Sequence, residues 1–378
     1  MVLDKINRPG LQGVIAAQTR LSRVDGQAGE LIIAGYRVDE IAPRATFEEM
    51  VYLLWHDRLP TEKELAGFQV ELAGLRTLPP VAMQALKQAA EKKLPVMDAL
   101  RMAAGLLSLN ADPEDAPAAS RALVAAFATI VAAYWRTLNG DKPVEPNPEL
   151  SHAANYLYML DGEAPSEGRV RALDTYLNTV IDHGFNASTF TARTIVSTQS
   201  DIISGVVGAI GALKGPIHGG APGPALDMVF EIGTAENAEP WLRNALEAGE
   251  RLMGFGHRVY KVRDPRADVL NGAAAEFFQD GDQSDLYALV RHVEKEAIRL
   301  LEEYKPGRNL QTNVEFYTAL VLHGIGLKTD IFAPTFAVSR VGGWTAHALE
   351  HLAEGRLIRP LADYAGANGR KWVSIEER

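Results

Sequence analysis

The chain has 378 residues, 47% hydrophobic and 23% charged, which is ordinary for a globular protein and long enough for two domains or for one with a subdomain. A formal net charge of −10 argues against nucleic acid or an anionic membrane as the main partner, and the lack of cysteine excludes disulfides, thiolate nucleophiles and cysteine-based zinc sites. The opening MVLDKINRPG has no apolar signal core, and the longest uncharged runs fall short of the roughly 20 residues a membrane span needs, so a cytoplasmic protein is expected.

Taken in chain order, ELIIAGYRV (30–38) is the one stretch with strand or hairpin character. A helix then opens at Thr46, with Glu49 completing a capping-box pattern; Pro60 breaks it and a second begins after Thr61. Helical periodicity continues through 97–109, 122–138, 152–160, 169–184, 202–213, 238–253, 285–304 and 332–355. QTNVEFYTAL opens a further helix with Glu315 in its first turn. The fold class is therefore all-α. The apolar helices near 122–135 and 202–213 should form the centre of a large domain or a subunit interface. From Gly215 to about Gln311 the chain carries more charge, glycine and proline, with turns at GPIHGGAPGP and QDGDQSD, and reads as a smaller domain.

Nucleotide and serine-hydrolase signatures fail. GFGH (254–257) has no later glycine in phase, GALKGP does not complete a P-loop, and no G-x-S-x-G elbow occurs. HALEH (347–351) is literally an H-x-x-E-H zinc-peptidase pattern, but only 27 residues remain after His351 to supply a third ligand. Two helix histidines without metal is the better reading, with the zinc peptidase kept as a remote rival. His56, His292 and His323 lie in ordinary helical patterns. His183, His218 and His257 instead sit at chain breaks beside glycine, where backbone and ligand can approach closely. Arg266 follows a turn-forming RDP, Arg340 interrupts the apolar run FAVSRVGGW, and Arg359 stands in RLIRP. Guanidinium forks hold carboxylates well, so these histidines, arginines and Glu315 point to chemistry on a small polyanionic acid.

These segments resemble the citrate synthase family along nearly the whole chain. VDGQAGELIIAGYRVDEIA is similar to its N-terminal strand segment, and SHAANYLYML and DHGFNASTFTAR to its core-helix motifs. KGPIHGG, MGFGHRVYKVRDPR, NVEFYTALVL and FAVSRVGGWTAH match its active-site segments in order. The resemblance implies an all-α homodimer whose large domain (1–215 and 317–378) and small domain (216–316) close over a cleft. It implies condensation of acetyl-CoA with oxaloacetate, without metal or cofactor; the family's 2-methylcitrate synthases use propionyl-CoA instead. His218 would hold the thioester oxygen, His257 would protonate the oxaloacetate ketone, and Glu315 would take the acyl proton. His183, Arg266 and Arg340 would bind oxaloacetate, with Arg359 given across the dimer. Lys261, Arg308, Asn313 and Gly256 would lie near CoA. Two residues depart from the pattern: glutamate stands at 315, where the family usually has aspartate, and Pro222 stands where asparagine is frequent.

Overall fold

The computed structural model describes residues 9–11, 13–112, 114–218, 222–278 and 284–378. Among these are sixteen α-helices and one three-stranded antiparallel sheet. The sheet adds Ser22–Asp25 to the expected hairpin of Glu30–Ile33 and Tyr36–Arg37. Ala34 and Gly35 take positive φ (42° and 89°) at the two-residue turn, the left-handed pair that suits a tight hairpin. Gly26, beyond the first strand, has no room for a side chain. A Cβ there would lie 2.2 Å from the Val259 carbonyl oxygen, so the sheet abuts the loop that carries His257.

The expected capping box forms at Thr46, and a second one, not expected, forms at Thr61. Thr46 caps Phe47–His56 with Glu49, and Thr61 caps Glu62–Gly74 with Glu64. The first of these helices stops at His56, four residues before Pro60, because Asp57 turns left-handed (φ 59°) as its C-cap. Ile202–Leu213 spans the residues expected of it. Two other helices end earlier than their pattern: Glu167–Val180 leaves Ile181–Gly184 as a loop, and Ala235–Glu247 is followed by Gly249 at φ 77°. Pro80–Glu91 and Pro265–Phe278 start on prolines that resemble breakers in the sequence, since proline suits a first turn with no N–H to satisfy. Pro222–Ile232 starts the same way within the stretch read as a turn; residues 219–221 of that glycine-rich stretch and 279–283 of QDGDQSD lie outside the described residues.

The core is built round Phe332–Glu354, which packs on Phe47–His56, Ala116–Leu138, Glu167–Val180, Ala187–Val196 and Ile202–Leu213. Ala116–Leu138 is long and apolar enough to cross a membrane, yet 72% of its most apolar window is buried inside the protein, which is the setting of a core helix. Ile202–Leu213 lies close on Ala187–Val196. A Cβ on Gly208 would sit 2.2 Å from Ile195 Cδ1, so small residues set that spacing. In a second group of helices, Pro222–Ile232 and Pro265–Phe278 pack on Val314–Gly324, which also touches Glu167–Val180, while Ala235–Glu247 and Ser284–Tyr304 pack on each other and on Pro222–Ile232. The cleft lies between the two groups.

Candidate active site

A cleft of about 630 Å³ brings together His183, His218, His257, Arg266, Glu315 and Arg340, with Asn313 and Gly256 also on its wall. The loop Ile181–Asn186 presents His183, whose Nε2 pairs with the Tyr260 hydroxyl at 3.1 Å. Ser22 Oγ fixes that loop to the sheet by accepting from the Gly184 N–H at 2.9 Å. Burial, and then the charges of Arg266 and Arg340, hold His183 well below the usual imidazole range.

His257 follows Gly254 and Gly256, both at positive φ. Its Nδ1 accepts from the backbone N–H groups of Val259 (3.1 Å) and Tyr260 (3.2 Å), so a neutral ring carries its proton on Nε2. Burial, with Arg266 beside it, lowers its pKa to about 4. His218 Nε2 accepts from the Ser188 N–H at 3.3 Å and lies 2.8 Å from Ser188 Oγ, to which Trp344 Nε1 donates at 3.0 Å. An accepting Nε2 leaves the proton on Nδ1. Burial, then Arg340, brings this pKa also to about 4. Both rings are neutral donors at physiological pH.

The two cleft arginines are anchored differently. Arg266, in the first turn of Pro265–Phe278, pairs with Asp264 through Nε (3.0 Å) and Nη2 (2.8 Å). Burial pulls its pKa down, and the Asp264 carboxylate more than offsets this. Arg340 donates Nε to the Val180 carbonyl at 2.6 Å and lies over the Phe336 ring at 4.5 Å. Its two terminal nitrogens have no hydrogen-bond partner among the described residues, and burial lowers its pKa to about 10. This cation, which interrupts an apolar run, is buried: it is 1% exposed.

Glu315 occupies the first turn of Val314–Gly324, capped by Asn313, whose side chain accepts from the Glu315 N–H at 3.0 Å. Val314, Phe316 and Tyr317 beside it are buried, while the carboxylate reaches the cleft without a hydrogen-bond partner among the described residues. Burial raises its pKa to about 7, against the lowering pull of Arg266 and Arg340. A solvated first-turn acid would not be shifted this way. A base poised near neutrality, two neutral imidazole donors and two guanidinium groups suit removal of a carbon-bound proton beside a bound carboxylate.

Three expected residues lie away from this cleft. Lys261 and Arg308 are exposed on nearby turns, and Arg359 is exposed in the extended segment after Glu354. Arg251 and Arg258, which nothing in their local pattern singles out, do line the cleft and are exposed there. The other overlooked features are the Ser188–Trp344 support behind His218 and the Asp264 partner of Arg266. RDPR and NAS carry these residues openly, but only the fold shows what they touch. The zinc-like pair has other uses. His347 Nδ1 accepts from Arg193 at 3.1 Å and its Nε2 meets Asp182 at 3.1 Å, while His351 Nε2 donates to the Arg356 carbonyl at 2.7 Å. A guanidinium on Nδ1 repels a cation there, and no group of three metal-binding side chains occurs among the described residues.

Comparison with known proteins finds relatives along nearly the whole chain. Residues 10–361 match the family model for the citrate synthase C-terminal domain. The chain is 43% identical over 375 residues to citrate synthase 2 of Bacillus subtilis, covering 98% of each. It is 38% identical to a 2-methylcitrate synthase of Mycobacterium tuberculosis, covering 96% of this chain and 91% of that one. Among solved structures, it matches citrate synthase from the archaeon Thermoplasma acidophilum in its ternary complex with carboxymethyl coenzyme A and oxaloacetate, at TM-score 0.87 and 32% identity over 98% and 99% of the two chains. Fold and cleft together define an all-α enzyme of acyl transfer. The chain belongs to the citrate synthase family, and that family points to no metal or other cofactor.

Proposed function

We propose that this enzyme condenses acetyl-CoA with oxaloacetate to give citrate and CoA. The observation that carries the reading is the unpaired, upshifted carboxylate of Glu315 in one cleft with two neutral histidines. Glu315 removes a proton from the acyl methyl as the Nδ1–H of His218 stabilises the enol at the thioester oxygen. The enol carbon attacks the ketone of oxaloacetate, which takes its proton from Nε2 of His257. Water then hydrolyses the citryl thioester. His183, Arg266 and Arg340 hold the dicarboxylate, and the open terminal nitrogens of Arg340 favour a bidentate grip.

Lys261, Arg308, Asn313 and the Gly256 backbone are proposed for CoA, with Arg251 and Arg258 adding positive charge near its phosphates. Residues 216–316 act as the small domain that closes over the cleft and excludes water. Arg359 enters the site of a second copy in a homodimer. The extended segment around it supports this, since Leu361, Tyr364 and Trp372 are exposed with little of their own chain to cover them. We place the enzyme in the cytoplasm.

Propionyl-CoA is the competing donor, because one methyl group is worth only ~1–3 kcal/mol of discrimination. The test is CoA-thiol release with oxaloacetate and each acyl donor. Wild type should prefer acetyl-CoA, and Glu315→Gln should lose ~10²–10⁴-fold in kcat. A higher kcat/KM for propionyl-CoA assigns the 2-methylcitrate reaction instead. No release with either donor removes the enzymatic reading, and full activity in Glu315→Gln removes the base.

A further inference from the structure

We infer that Glu294, outside the cleft, is the positioning residue that sets the direction of the Glu315 carboxylate relative to Arg266. It lies midway along Ser284–Tyr304 and is 5% exposed. Its Oε1 accepts from Arg263 Nη1 and from Thr312 Oγ1, each at 2.7 Å. Its Oε2 accepts from the Tyr317 hydroxyl at 2.6 Å and from Arg291 Nη1 at 3.3 Å. One carboxylate thus receives four donors, three of them from the two segments that carry the base and its neighbouring guanidinium.

Those segments are already joined at the cleft. The Gly256 N–H donates to the Gln311 carbonyl at 2.7 Å, the Asn313 N–H to that of Gly254 at 2.9 Å, and the Asp264 N–H to that of Thr312 at 3.3 Å. These bonds fix the separation of the two segments at Asn313, and the buried Val314, Phe316 and Leu320 pack the helix that follows. Tyr317 adds a polar tie that sets the turn of this helix about its axis. It follows Glu315 by two residues, about 200° round the helix, so holding its hydroxyl on the far side turns Glu315 toward the cleft. Arg263 ties the same carboxylate to the turn that bears Asp264 and Arg266. With a carboxylate ~6 Å from the helix axis, a rotation of ~10° moves it by about 1 Å. A displacement of that size can cost ~10²-fold in rate.

This inference rests on Glu315 being the base, and its test separates the two. In Glu294→Gln, kcat should fall ~10²-fold while the Kd of oxaloacetate alone, read by calorimetry, stays within about threefold. Glu294→Asp should recover part of the loss. Tyr317→Phe, which keeps the ring and removes one bond, should lower kcat without moving KM for oxaloacetate. A general loosening of the small domain would raise KM and Kd together. The direct readout is a crystal structure of Glu294→Gln, in which the Glu315 carboxylate should shift by about 1 Å relative to Arg266. An unshifted carboxylate, or unchanged kcat in both Glu294→Gln and Tyr317→Phe, overturns the inference. Failure of wild type to release CoA defeats the functional reading alone, since the crystallographic shift is measured without turnover.

Discussion

The two walls of the cleft hold their charges by opposite means. On one wall Arg340 and His183 rise from the large helical core, and Arg340 keeps its place with one carbonyl, one aromatic ring and close packing. That packing is tight: a Cβ on neighbouring Gly343 would lie 2.3 Å from the Ile181 carbonyl oxygen. On the other wall Arg266, His257 and Glu315 are held by polar bonds: Asp264 on Arg266, backbone N–H groups on His257, and the Asn313 cap on Glu315. Packing leaves a guanidinium underpartnered and ready for a substrate carboxylate. Polar anchoring makes the wall itself depend on its charged groups.

The two arginines break this comparison most directly. Arg266→Met strands the fully buried Asp264 carboxylate, so it should cost about 3–5 kcal/mol of stability as well as oxaloacetate binding. Arg340→Met removes a cation that has no bidentate anion. It should raise KM for oxaloacetate by about 10²-fold, as loss of a buried charge-assisted contact implies, and leave apo-protein stability equal or higher. Urea melts and oxaloacetate titrations of the two variants check both statements. Equal destabilisation would show that the walls are held alike.

The walls also differ in what pH does to them. Glu315 titrates near 7 in the folded protein against an ordinary value of 4.5. Its ionised form is the base, so kcat/KM should rise about tenfold per pH unit up to roughly 7 and then level. Stability runs the other way. Between 4.5 and 7 the folded state keeps a proton that the unfolded chain has released, so this residue's contribution falls as pH rises through that window and is flat above it. His218 and His257, lowered to about 4, are already neutral from pH 5 upward and add no limb between 5 and 8. Glu315→Gln should therefore abolish the limb and also leave the apo protein more stable at pH 8, measured by melting temperature. A limb that persists in Glu315→Gln belongs to some other group.

How much of this the sequence shows depends on whether a residue's environment is local. The capping box at Thr46, the helix start after Thr61, the strand or hairpin character of ELIIAGYRV and the helix IISGVVGAIGAL are decided by neighbours within a few positions, and each forms. The three glycine-flanked histidines and Arg340 were legible because each conflicts with its surroundings: a reactive ring at a chain break, a cation in an apolar run. Glu294 was not. In RHVEKEAI it resembles the exposed Lys295 and the Arg299-paired Glu296 next to it, and the donors that define it lie 18, 23 and 31 positions away. The proline-led helices were missed for a related reason, since Pro80 and Pro265 look like breakers until the preceding chain is seen to need no N–H from them.

The smallest expected effect serves as the control for the whole comparison. Glu62–Gly74 lies mostly exposed and lines no part of the cleft, and its start depends on a reciprocal pair. Thr61 Oγ1 accepts from the Glu64 N–H at 3.4 Å, and the Glu64 carboxylate accepts from the Thr61 N–H at 2.8 Å. Arg58 also pairs with Glu64, so the acid keeps a partner when the hydroxyl is removed. Thr61→Ala should therefore cost about 1 kcal/mol and lower Tm by on the order of 2 °C. Neither kcat nor KM for oxaloacetate should change by more than about twofold, because no bond from this helix reaches either wall. A larger kinetic effect would mean that stability lost at the periphery reaches the cleft, and the separate anchoring of its two walls would no longer account for their different sensitivities.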